Sequence, residues 1–128
     1  MNPPSFTAAS LYVALGGGAG SWLRFATGRL IGPTAFPWTT LTVNVVGSAL
    51  MGLLAGWLAR QGTAGEGWRL LLGVGVLGGF TTFSAFSLDF AQLVARGALG
   101  TAMAYAAVSL AAGFAGLFAG LALMKAVT

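Results

Sequence analysis

Charged positions punctuate this chain at long intervals, and everything between them is greasy. No Lys, Arg, Asp or Glu lies between Met1 and Leu23, between Leu30 and Ala59, between Leu70 and Leu88, or between Gly97 and Met124. A helix crossing a bilayer needs about 20 apolar residues, so each stretch can supply one. The breaks fall where turn chemistry is strongest. Gly32, Pro33 and Pro37 close the first stretch, RQGTAGEGWR (60–69) the second, and Arg96-Gly97 the third. The pattern predicts an all-α membrane protein with four transmembrane helices, over about 6–30, 37–59, 68–95 and 98–124. The loops are too short for a soluble domain, so residues 1–128 read as one four-span membrane domain.

Composition supports that reading. The chain is 57% hydrophobic and 6% charged, against roughly 25% charged residues in soluble domains. It could not clothe itself for water. The first ten residues, MNPPSFTAAS, hold no Lys or Arg and so lack the positive start of a signal peptide. The first stretch is expected to remain as a span. The net charge of +4 comes from single residues beside spans, where membrane-flanking cations sit, so nucleic acid is not an expected partner.

Several chemistries drop out. With no cysteine and no histidine, there is no disulfide and no Cys or His metal site. The only carboxylates, Glu66 and Asp89, are expected near different membrane depths. General acid–base work usually needs His or a carboxylate pair, so an enzyme is not expected.

The cations are evenly shared. Four spans put Arg60, Arg69 and Lys125 on one side and Arg24, Arg29 and Arg96 on the other. Orientation normally follows a Lys/Arg excess on the cytoplasmic side, and here there is none. Two readings stand at this point: a weak bias settled by other features, or dual topology with copies inserted both ways.

Polar residues inside the spans carry the chemistry, since such groups usually face the protein interior or a water path. Thr40, Asn44 and Ser48 are four apart on span 2, and Thr101, Tyr105 and Ser109 are four apart on span 4, so each trio shares a helix face. They offer N–H and O–H donors without fixed charge. Interhelical hydrogen bonding explains many such residues. Two aligned stripes with a central Asn44 also suit an anion path, which must bind weakly enough to release.

Span 3 contains GGFTTFSAF (78–86). Gly78 and Gly79 each weaken a helix by roughly 1 kcal/mol relative to Ala, and Thr81 and Thr82 can bond to nearby backbone. A break is expected over Gly78–Thr82. A broken helix at membrane depth is tolerated where it is buried in protein or lines a cavity. Its freed carbonyls suit a small cation such as Na⁺, and helix N-termini suit anions. Phe83, Phe86 and Phe90 share one face, and an aromatic ring has a positive edge. Glycines four apart (52/56, 75/79, 116/120) are expected to let helices approach closely.

Three motifs, GGGAGSWLRF (16–25), TLTVNVVG (40–47) and GVLGGFTTFSAFSLD (75–89), stand in order in a four-span chain that resembles the Fluc, or CrcB-type, fluoride channels from about Gly16 to Gly120. The resemblance implies an antiparallel, dual-topology homodimer in a bacterial-type inner membrane, passively releasing cytoplasmic fluoride through two paths built from both copies. It implies a structural, non-transported sodium ion held by the carbonyls of Gly78 and Thr81. It maps pore phenylalanines onto Phe83 and Phe86, a pore asparagine onto Asn44, a span 4 track onto Tyr105 and Ser109, and a vestibule arginine onto Arg24. Thr40 and Ser84 complete the candidate anion pathway. Thr39, Phe25, Ala85 and Asp89 stand where the family often has Gly, Tyr, Thr and Glu. Gly113 falls where some members continue the serine track. Two rivals from other classes are a small dual-topology multidrug transporter and a non-conducting membrane assembly subunit. The first needs an intramembrane carboxylate, which spans 1 and 2 lack; the second gives no reason for the Asn44 stripe or the break.

Overall fold

A computed structural model of the chain describes residues 2–128, and every regular element among them is helical. Helix α1 (Phe6–Ile31) starts at Ser5, whose hydroxyl accepts from the Ala8 N–H (3.2 Å). It stops at Gly32, whose φ of 77° is readily reached by glycine, with Pro33 next. Helix α2 (Trp38–Leu58) follows, then a 3₁₀ turn over Gly62–Gly65. Helix α3 (66–80) joins a short α turn, Glu66–Trp68, to a π-wound stretch, Arg69–Leu77, and a last α turn, Gly78–Phe80. Helix α4 (Phe83–Ala95) continues the same span beyond a gap of two residues, and α5 (Leu99–Val127) follows the turn at Gly97.

Three units are long and apolar enough to cross a membrane: Trp38–Leu58, Gly62–Ala95 and Leu99–Val127. Helix α1 has 26 residues, about 39 Å at 1.5 Å per residue, so length is not what sets it apart. Its apolar content is diluted by Gly16, Gly17, Gly18, Gly20 and Ser21 and by two arginines. Several of those small residues pack against α3. A methyl added at Gly16 would overlap the Leu71 carbonyl, and one at Gly20 the Val76 carbonyl.

The same device joins α2 to α5. A methyl at Gly52 would overlap the Leu117 carbonyl, and one at Gly120 the Ala49 carbonyl. Close backbone approach is how helices gain dispersion contact in lipid, where tails are as apolar as side chains. The expected close approach holds at Gly52, Gly56, Gly75, Gly79 and Gly120, with Gly116 in ordinary contact distance.

The break falls within the expected Gly78–Thr82 stretch but is narrower. Gly78, Gly79 and Phe80 are helical; the interruption is Thr81 and Thr82, both extended (φ −85°, ψ 155° and φ −152°, ψ 119°). Gly79 is held in the helix with α1 against it, the Gly17 carbonyl and Ser21 lying where its Cβ would stand, while Gly78 is exposed. Thr81 keeps its N–H on the Leu77 carbonyl (3.0 Å), and the helix is lost at Thr82, whose bonds go elsewhere. Thr81 Oγ1 donates to the Leu77 carbonyl (2.8 Å), and the Thr82 N–H goes to another helix.

Side chains buried within one copy are few. Leu93, Ala102 and Tyr105 form the packed centre of α4 and α5, with Phe36, Leu41, Phe86, Phe90 and Ala98 against it.

Candidate functional site

The site is organised by Asn44. Its Oδ1 accepts from the Thr82 N–H (2.8 Å) and its Nδ2 donates to the Thr82 carbonyl (3.0 Å). One side-chain amide thus satisfies both polar groups of an extended backbone residue, as a neighbouring β-strand would. Thr82 also caps α4, its Oγ1 accepting from the Ala85 N–H (3.1 Å), with the Ser84 hydroxyl 3.3 Å away. In an unbroken helix the Thr82 N–H would donate to the Gly78 carbonyl. Turned to Asn44, it leaves that carbonyl without its helical donor.

Arg24 reaches the other end of the gap, where Nε donates to the Gly79 carbonyl (3.1 Å). The resemblance implied a vestibule cation; here the side chain caps the end of α3. It still borders a cavity of about 340 Å³ shared with Thr40, Val43 and Thr82. A second cavity of about 310 Å³ is lined by Asn44, Ser48, Thr81, Thr82 and Phe83, among others. The stripe expected on α2 is therefore split: Asn44 and Ser48 face one cavity and Thr40 the other.

Aromatic rings run on from there. Phe83, 80% exposed in a single copy, lies 5.9 Å from Phe86. Phe86 lies 5.0 Å from Tyr105, and Phe36 meets Tyr105 edge-on at 5.5 Å. Tyr105 is fully buried, and its hydroxyl donates to Asp89 Oδ2 (3.0 Å). Ser109 Oγ is buried without a hydrogen-bond partner. Thr101, on the same helix, is exposed. Gly113 packs beside the Ser48 hydroxyl, at 3.6 Å from where its Cβ would stand.

Two residues here were not among the expected site residues. Thr82 is the hub of the clamp, and its signal was available as a helix-capping threonine followed by FSA. Asp89 is tied to Tyr105, a pairing across two helices that no spacing announces. Among the described residues no group of three or more Asp, Glu, His or Cys gathers. What the break offers a cation is neutral backbone oxygen at Gly78 and Thr81, a donor type that suits a hard ion.

Long apolar helices broken at one point, with uncharged donors and rings beside the break, define a multi-pass membrane protein of the ion-pathway kind. The family model for "CrcB-like protein, Camphor Resistance (CrcB)" matches residues 11–121, and the chain belongs to that family. It is 62% identical over 124 residues to the "Fluoride-specific ion channel FluC" of Novosphingobium aromaticivorans, covering 93% of this chain and 98% of that one. A protein of the same name from Rhodospirillum centenum is 55% identical over 118 residues (90% and 94%). One from Rhodopseudomonas palustris is 52% identical over 122 (92% and 98%).

Proposed function

We propose that this protein is a fluoride channel, through which cytoplasmic fluoride leaves passively across the inner membrane of a bacterial cell. The observation that carries this reading is the Asn44–Thr82 clamp, set between a cavity of polar donors and the exposed ring of Phe83. Fluoride is small and strongly hydrated, so a path must replace its water with N–H and O–H donors and positive ring edges. A cation in direct contact with it would hold it too tightly to conduct, so positive charge is better placed nearby than on the path. Asn44, Thr40, Ser84 and Ser109 supply donors, Tyr105 continues the track with its O–H committed to Asp89, Phe83 and Phe86 supply ring edges, and Arg24 supplies the nearby positive field. The fluoride channel names of close relatives support the choice of ion.

In this reading all four helical units cross the bilayer as a single domain, α1 among them because α3 covers its glycine face. Two copies pair antiparallel, in keeping with the even division of cations. The exposed Phe83 and Gly78 of each copy then face the partner, and the paths are built from both. The carbonyls of Gly78 and Thr81 would hold a sodium ion, whose charge supplies a fixed positive centre beside the anion.

The test is efflux from liposomes loaded with fluoride or chloride. Fluoride is expected to leave far faster than from protein-free vesicles while chloride is retained. Fluoride efflux no faster than in empty vesicles would end the reading.

A further inference from the structure

A third cavity, of about 370 Å³, opens where the 32–37 loop crosses the end of α4. Its walls include Thr34, Pro37, Asp89, Gln92, Ala95 and Arg96. Asp89, Gln92 and Arg96 are three and four residues apart and so line one face of α4. The Asp89 carboxylate accepts from Tyr105, and Tyr105 stacks on Phe86, which pairs with Phe83 at the Asn44 cavity. The file of rings therefore has a cavity at each end. At the Asn44 end the donors are neutral. At this end a carboxylate stands in the wall, and a carboxylate repels an anion.

Arg96 is what offsets it. One guanidinium nitrogen donates to the Ala35 carbonyl (2.9 Å), which anchors the side chain over the cavity. A guanidinium carries five N–H donors, so most stay available to water or an anion. No ion pair joins Arg96 to Asp89 among the described residues, so its charge is not spent on a direct contact.

Resting on the fluoride-channel reading, we propose that this cavity is the second mouth of the path and that Arg96 makes it passable to an anion in spite of Asp89. Arg96 acts by its field and its free donors, and the bond to Ala35 holds it at the mouth. Gln92, between the two charges, adds an uncharged amide.

The chain has no cysteine, so one introduced thiol is addressable alone. In Ala95→Cys, a negatively charged methanethiosulfonate reagent is expected to cut fluoride efflux several-fold, and a positively charged one to leave it unchanged or raise it. No change with either reagent would remove this cavity from the path. Arg96→Gln is expected to lower efflux several-fold at ~10 mM salt and much less at ~1 M, because the Debye length shrinks from about 30 Å to about 3 Å. Arg96→Lys is expected to recover most of that loss. If Lys fails as Gln does at both salt levels, Arg96 acts only as a strap to Ala35 and the proposal falls. Wild-type protein measured beside these variants separates the outcomes: absent wild-type efflux ends the channel reading, whereas robust wild-type efflux with insensitive variants ends only this one.

Discussion

The α2–α5 seam and the Thr81–Thr82 gap solve opposite problems by opposite means. At the seam, Gly52 and Gly120 bring two intact helices into backbone contact, and every polar group stays inside its own helix. At the gap, the backbone gives up its own bonds, and side chains from other helices take them over: Asn44 for Thr82 and Arg24 for the Gly79 carbonyl. The seam has nothing to offer an ion. The gap has donors, carbonyls and cavities, and it keeps its shape only while its borrowed partners remain. Rigidity is thus concentrated in the glycine seams, and chemistry where the helix is interrupted.

The comparison is broken most severely at the seam. Gly52→Val is expected to abolish the folded, membrane-extractable protein, because its Cβ would meet the Leu117 carbonyl and α-carbon rather than a flexible side chain. Overpacking typically costs 1–3 kcal/mol, occasionally more, and rigid backbone on both sides places this case at the upper end. Gly18→Ala is the control. Nothing lies within 4 Å of its added methyl, so it is expected to stabilise α1 by up to about 1 kcal/mol. Size-exclusion profiles in detergent read both outcomes; a well-behaved Gly52→Val protein would show the seam to be looser than described.

The next effect is on flux rather than fold. Phe83→Ile and Phe86→Ile are each expected to cut fluoride efflux strongly while size-exclusion elution stays unchanged. Phe83 is exposed, and Ile keeps an apolar side chain at Phe86 against the centre of Leu93, Ala102 and Tyr105. Near-normal efflux from both variants would reduce the rings to packing.

The smallest effect lies far from the gap. Glu66 is held below the ordinary carboxylate range by its hydrogen bonds and ion pair with Arg69 (2.8 Å). A depressed carboxylate contributes stability above its unfolded pKa, about 4.3, and loses it as pH falls through the lower folded value. The pair is exposed, so solvent screening keeps that contribution minor. Glu66→Gln is expected to leave both efflux and thermal stability unchanged at pH 7; a clear drop in either would tie this loop to the site.

The helix limits, and three of the four expected spans, were legible because charge is so sparse that its absence draws them, and turn residues mark the ends. The glycine seams were legible from four-residue spacing. Gly16 and Gly20 show the same four-residue spacing and were passed over only because they stand inside the GGGAG run. The break was legible within Gly78–Thr82, but only its Thr81–Thr82 end is interrupted. Propensity singles out Gly78 and Gly79, yet both stay helical, Gly79 packed by α1, and Asn44, 38 residues earlier, holds Thr82 out of the helix. The π winding of Arg69–Leu77 left no sequence signature, and the Asp89–Tyr105 bond depends on how α4 leans on α5. Asn44 itself stood out, as a lone amide on an apolar helix.

The most direct test is fluoride and chloride efflux from liposomes holding Asn44→Ala, measured beside wild type at equal reconstituted protein. The substitution removes two hydrogen bonds, each worth about 0.5–1.5 kcal/mol, and leaves the Gly52 and Gly120 seam untouched. The expected result is intact, correctly sized protein whose fluoride efflux falls by an order of magnitude or more. Wild-type fluoride efflux from Asn44→Ala, with chloride still excluded, would contradict the claim that the Asn44-held gap builds the path.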